Sequence, residues 1–255
     1  MNDLAKKFKA RLEKNTTPKL DPNYNFFVYG QTGTGKTTLI KTLKQDCIEH
    51  DGRCLLLNND DGDASILSAL YDKDPYRWLY NEQVQTWADI QSAYLYLKDG
   101  DHPFRWVVLD DTTVMAGILL AQLNDEMGDD VWGAYGRLDK QFRKMLRNFR
   151  RLDINTLFIA REDTEKEQAT AAFPGKALGS GNDGSSVLHE FDNAFRTIRV
   201  AEDDDSYRYE LQTIGDDHVE AKKRDEFDAV DKFEPADIGA IRKKIVDSLE
   251  ENLSS

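Results

Sequence analysis

Gly30-Gln31-Thr32-Gly33-Thr34-Gly35-Lys36-Thr37 carries the spacing G-x-x-x-x-G-K-[ST] in full and reads as a phosphate-binding loop. A triphosphate's oxygens must be met by several backbone N–H groups at once, and glycines let the backbone curl closely enough to offer them. Lys36 then reaches the β- and γ-phosphates. The Thr37 hydroxyl is placed to ligate Mg²⁺, and the start of the next helix adds partial positive charge. Outward from the loop, Asn25 to Tyr29 reads as a short buried strand and Thr38 to Ile48 as a helix, which is the strand, loop, helix context the motif requires. ATP and Mg²⁺ are the expected cofactors, held by Gly30, Gln31, Thr32, Gly33, Thr34, Gly35, Lys36, Thr37 and Thr38.

The chain has 255 residues, 40% apolar and 32% charged, which suits one α/β domain and excludes a membrane-embedded protein, since the longest apolar runs are too short to span a bilayer. Residues 1–22 read as a basic amphipathic arm, with Leu4, Phe8 and Leu12 one helical turn apart, followed by a linker; 23–249 read as the domain and 250–255 as a polar tail. Without a signal peptide's apolar core at the N-terminus, a cytoplasmic location is expected. Cys47 and Cys54 fit a reduced compartment, as core residues or, with His50, as an incomplete metal set. The net charge of −13 argues against a protein coated all over in nucleic acid but leaves room for a local basic groove.

A second buried strand, Arg53 to Leu57, runs into Asn58-Asn59-Asp60-Asp61-Gly62-Asp63. In an open parallel sheet, ligands sit beyond the carboxyl ends of strands. Asp60 is therefore either part of a solvated acidic turn or the group that orients or deprotonates the attacking water. Asp63 to Tyr71 suggests a short helix, the region to Gln85 reads as irregular, and Thr86 caps a helix through Ile90 and Tyr94 to Leu97. Phe104 to Asp111 is an apolar strand ending in two acids. Asp110 is assigned to the Mg²⁺ shell with Thr37, and Asp111 as an alternative water-activating acid.

Thr112 to Met127 continues as a helix, and Asp129 to Gly136 reads as a tight aromatic turn. Leu138, Phe142, Met145, Leu146, Phe149 and Leu152 then share one helix face, while Arg137, Lys140, Lys144, Arg147 and Arg151 lie opposite within an arc of about 80°. That stripe is a solvated face or a site for an acidic subunit or a nucleic-acid backbone. Arg161, just past the strand Asn155 to Ala160, is a candidate γ-phosphate sensor or a surface partner of Asp163 or Glu165. Thr164 to Ser186 reads as a mobile functional loop or a plain disordered insertion. Ala194 to Val200 and Tyr207 to Ile214 suggest a hairpin with an acidic tip, Val219 to Arg224 a last strand, and Pro235 the opening of a C-terminal helix.

In its order of motifs the chain resembles the RecA-like P-loop ATPases, and more narrowly the phage-encoded AAA-type nucleotide-binding proteins related to recombinases and single-strand annealing factors. The resemblance rests on Val28 to Thr38, Leu55 to Gly62, Val107-Val108-Leu109-Asp110 with Thr112-Thr113, Trp132 with Tyr135-Gly136, Phe158-Ile159-Ala160, Phe173-Pro174-Gly175-Lys176 with Phe191-Asp192, and Ala221-Lys222-Lys223-Arg224. It implies a RecA-like α/β core with a mostly parallel sheet and a C-terminal β-hairpin. It also implies rings or filaments with ATP between subunits, Lys222 and Arg224 reaching a neighbour's γ-phosphate, and a loop around Phe173 to Gly184 that contacts single-stranded DNA. Relatives typically carry Glu where this chain has Asp60, which implies slow hydrolysis.

The expected function is therefore an ATPase of DNA recombination or single-strand annealing, with a single-strand-binding or other replication protein as a further partner. The alternative is an ATP-dependent switch or assembly factor acting on a protein. A small-molecule kinase shares the loop but needs an Arg-rich lid, and no Arg cluster follows Asp110 except the helical stripe.

Overall fold

The structure is a computed structural model that describes residues 22–59, 65–70, 77–164, 167–174, 186–203 and 206–253. Its strands are β1 (Asn25–Gly30), β2 (Arg53–Asn58), β3 (Leu79–Gln83), β4 (Phe104–Asp110), β5 (Asn155–Arg161), β6 (Asn193–Ala201), β7 (Tyr207–Gln212) and β8 (Phe233–Pro235). They form one sheet in the order β3-β2-β4-β5-β1-β6-β7-β8. The first six are parallel, and β7 and β8 add antiparallel. This is the expected α/β architecture, with the β6–β7 hairpin beside β1.

Helices α1 (Lys44–Glu49), α2 (Leu67–Leu70), α3 (Trp87–Lys98), α4 (Thr112–Met127), α5 (Val131–Arg150) and α6 (Ile238–Leu253) cover the sheet. Side chains alternate between its faces because successive Cβ atoms point opposite ways along a strand. Phe27, Tyr29, Val107, Leu109, Phe158 and Ala160 join one core with α3, α4 and α5. Phe26, Val28, Val108, Leu157 and Ile159 join the other with residues 37–49 and α6. Cys47 and Cys54 lie in this second core. Full burial of such side chains stabilises by about 2 kcal/mol each. One ionic hub sits there too: Asp46 of α1 accepts from Arg105 Nε (2.8 Å), Trp106 Nε1 (2.6 Å) and Arg242 Nη1 (2.8 Å), tying α6 to β4.

Several local expectations are corrected. The segment after the loop opens as a 3-10 helix, Thr37–Leu43, before α1; Thr42 bonds its hydroxyl to Leu39 O and accepts Ile238 N from α6, a local side-chain bond that competes with regular helix. The stretch before Gln85 contains β3, in which only Leu79 is buried while Asn81, Glu82 and Gln83 are polar, as an edge strand of the sheet allows. Val131 to Gly136 belongs to α5, started by Asp130, whose Oδ1 accepts from Gly133 N at 2.9 Å. Val219 to Arg224 makes isolated bridges to Ala169, Ala194 and Asp216 instead of a strand. Pro235 ends β8, where lacking an N–H costs nothing at an edge, and α6 begins at Ile238 and runs through Leu253. The N-terminal arm, Asp60, Glu165, Lys176 and the four glycines expected from Gly175 to Gly184, bar none, lie outside the described residues.

Residues 167–174 depart from the loop expectation. Ala169 N donates to His218 O and Ala172 N to Arg161 O, each at 2.8 Å. Phe173 packs against Phe142 and Phe27, with ring centroids 5.3 and 6.3 Å apart. Its aromatic neighbours outweigh the Gly- and Ala-rich composition around it.

No helix among the described residues is long and apolar enough to cross a membrane.

Candidate nucleotide site

The loop follows directly on β1, which lies between β5 and β6 in the middle of the sheet. Gly33 and Gly35 take φ of +80° and +85°, a region that L side chains rarely adopt. A Cβ at Gly33 would meet nothing within 4 Å, so the turn is open toward the cleft. Lys36 folds back and donates from Nζ to Gly30 O and Gln31 O, each at 2.8 Å. Burial lowers its pKa, while the carboxylates of Asp111 and Asp110 pull it back up. The lysine is thus a partly desolvated cation between two acids, poised to exchange carbonyl partners for phosphate oxygens.

Thr37 Oγ1 donates to Asp110 Oδ2 at 2.8 Å, so the two residues assigned to the metal shell meet. Asp110 ends β4 and is buried. Asp111 caps α4, its Oδ1 accepting from Thr113 N at 2.7 Å. Its Oδ2 takes Arg161 Nε at 2.8 Å. Asn59 clasps the same corner, accepting Asp111 N at 2.8 Å and donating to Asp111 O at 3.1 Å.

Lys36, Thr37, Asp110, Asp111 and Arg161 line a cleft of about 800 Å³ with Thr32, Thr38, Lys41 and Tyr209. Gln31 and Thr34 turn their side chains away from it. Gln31 Nε2 donates to Glu162 Oε1 at 3.0 Å, and Thr34 Oγ1 lies 2.6 Å from Thr197 Oγ1. Glu162 is buried and receives both Arg196 Nε (2.8 Å) and Nη2 (2.9 Å).

MgATP fits this donor set: backbone turns free of Cβ, a lysine, and a hydroxyl facing a buried carboxylate are what a metal-bound triphosphate needs.

Lys222 and Arg224 do not line the cleft. Lys222 bridges to Ala194, and Ala194 pairs with Phe27, three residues before Gly30. Both cations thus lie toward the end where β1 and β6 begin. Lys222 Nζ reaches His189 O at 3.2 Å, and Arg224 Nη1 reaches Asp192 Oδ1 at 2.9 Å. Of the basic stripe on α5, Arg147 is committed to Glu190 through two bonds of 2.9 and 2.6 Å, which hold that carboxyl below the usual range. Arg137, Lys140, Lys144 and Arg151 are exposed.

Asn59, Glu162, Arg196, Thr197 and Tyr209 escaped the sequence reading. A charged residue one step past a strand end was a usable signal for Glu162; the others lie in segments whose sequence looks like ordinary sheet or turn.

The family model described as "AAA domain" matches residues 22–225. The matched span takes in the loop, Asp110, Arg161, Lys222 and Arg224, and stops before β8 and α6. A comparison with curated proteins finds no match.

Proposed function

The chain belongs to the AAA domain family, whose members are nucleotide-binding ATPases in type, and from that premise we propose a Mg²⁺-dependent ATPase of DNA recombination or single-strand annealing, working as a ring or filament on single-stranded DNA. One observation carries the catalytic part: Thr37 Oγ1 and Asp110 Oδ2 meet at 2.8 Å in the cleft that Lys36 and Arg161 also line.

Thr37 and Asp110 would hold Mg²⁺, which when bound supplies positive charge to the phosphate oxygens. Lys36 turns its ammonium to the β- and γ-phosphates, and Arg161 meets the γ-phosphate. Asp60 orients the attacking water, while Asp111, whose oxygens accept from Thr113 N and Arg161 Nε, holds the arginine in place. Lys222 and Arg224 complete the site from a neighbouring subunit. Their place toward the opposite end of the strands supports head-to-tail assembly, which generates rings or filaments. Trp132, 87% exposed at the start of α5, offers a stacking surface for unpaired bases.

The test is ATP turnover by the purified chain with and without a single-stranded oligonucleotide at low salt, beside Lys36→Ala. DNA-stimulated hydrolysis that Lys36→Ala abolishes is expected. Absence of hydrolysis, or turnover indifferent to Lys36→Ala, overturns the reading.

A second reading, an ATP-dependent switch acting on a protein, is favoured by the inward packing of Phe173 against Phe27 and Phe142 and by the charge of −13. It requires hydrolysis that single-stranded DNA does not change.

A further inference from the structure

The β6–β7 hairpin grips the phosphate loop at three points, and we infer that Thr197 and Tyr209 are positioning residues that set the shape in which the loop accepts a nucleoside triphosphate. The inference rests on the nucleotide reading of the cleft. At the first point, Arg196 of β6 holds Glu162 with two bonds of 2.8 and 2.9 Å, and Glu162 holds the Gln31 side chain at 3.0 Å.

The second point is a hydroxyl relay. Thr34 Oγ1 donates its one proton to Gln31 O at 2.7 Å. Thr197 therefore supplies the proton in the 2.6 Å contact between the two hydroxyls, since each hydroxyl has a single hydrogen to donate. Its other candidate acceptor, Tyr29 O, is farther away at 3.3 Å. Thr197 is 1% exposed and lies so close to the loop that a Cβ on Gly30 would come within 2.0 Å of its Oγ1. The first glycine of the motif is thus required by β6 as well as by phosphate.

At the third point, the ring of Tyr209 lies over Gly35, 3.3 Å from where a Cβ would stand. Gly35 has φ of +85° and directly precedes Lys36, so the ring backs the turn that aims the lysine. Tyr209 also forms one wall of the cleft.

Thr197 does not line the cleft and acts through Thr34; a loop that loses this tether samples other shapes and binds nucleotide less tightly without losing any group that touches phosphate. The test is titration of the purified chain with a fluorescent ATP analogue and Mg²⁺, together with steady-state kinetics. Thr197→Val should raise the dissociation constant about fivefold to tenfold, as for one lost hydrogen bond, with KM rising more than kcat falls. Thr197→Ser, which keeps the hydroxyl, should recover most of the loss; a purely structural role would not separate Val from Ser in this way. Tyr209→Ala, at a partly exposed position, should weaken binding by a similar factor and decides the matter if Thr197→Val does not fold. Wild-type affinity in both Thr197→Val and Tyr209→Ala, with binding lost in Lys36→Ala, overturns the inference and leaves the nucleotide site standing. Unchanged binding in Lys36→Ala overturns both.

Discussion

Arg161 Nε and Asp111 Oδ2 form an ion pair of 2.8 Å that joins the end of β5 to the corner after β4. The arginine side chain is half exposed and the carboxylate is 5% exposed, so the cation fronts the cleft while its partner is anchored behind it by Thr113 N and Asn59. The pair makes Asp111 a support for Arg161.

Arg161→Ala should therefore reduce kcat on the order of a hundredfold with little change in KM, the pattern of a charge used in the transition state. Asp111→Asn should give a smaller loss of the same kind, because the arginine remains but is less well held. Steady-state kinetics of the two variants checks this; equal losses in both, or a change confined to KM, would refute it.

Removing either partner of the Thr37–Asp110 contact should appear first in the metal dependence. Asp110→Asn is expected to raise the Mg²⁺ concentration needed for half-maximal turnover and to cost at least about a hundredfold in kcat. Binding of nucleotide without metal should change far less, since Lys36 and the loop amides stay in place. A Mg²⁺ titration of hydrolysis beside metal-free binding separates the two effects.

The loop, β1, β4 with Asp110, and the apolar face of α5 were legible because each depends on residues near one another in sequence. Fixed spacing gives the loop, a buried run closed by an acid gives β4, and a 3.6-residue period gives α5. What was not legible depends on neighbours far along the chain. Thr197 lies 163 residues from Thr34, and Glu162 lies 131 from Gln31; only the order of strands in the sheet brings them together. The edge strand β3 was hidden because an edge needs no apolar run, and Phe173 because small residues surround it in sequence while Phe27 and Phe142 surround it in space.

The Asp46 hub gives a stability prediction with a definite pH sign. Burial alone would raise the carboxyl, but the hydrogen bond from Arg105, the Arg242 charge and the Trp106 indole outweigh it and hold it below its ordinary value of 3.8. The folded state thus keeps the charge to lower pH than the unfolded chain does. Its contribution is fully present above pH 3.8 and is lost as pH falls through the lower folded value. Asp46→Asn should destabilise by about 3 kcal/mol at neutral pH, since it strands Arg242 in the core. The gap from wild type should close in acid. Denaturant melts at pH 7 and near pH 3 measure both; a gap that widens in acid would contradict the assignment.

Phe173 separates two accounts of the segment that precedes residue 175. If the side chain served DNA, Phe173→Ala would weaken oligonucleotide binding and leave the fold intact. The structure instead packs its ring between Phe27 of β1 and Phe142 of α5, under the same core that positions the loop. Truncation should then cost about 2 kcal/mol, less than for a fully buried phenylalanine because the residue is half-buried. Trp132→Ala provides the contrast: at 87% exposure it should leave the melting temperature unchanged within error and reduce DNA-stimulated turnover. Thermal melts and oligonucleotide-stimulated hydrolysis of both variants test this. Stability lost in Phe173→Ala and DNA response lost in Trp132→Ala is the expected pair, and the reverse pair would return Phe173 to the DNA-contacting role.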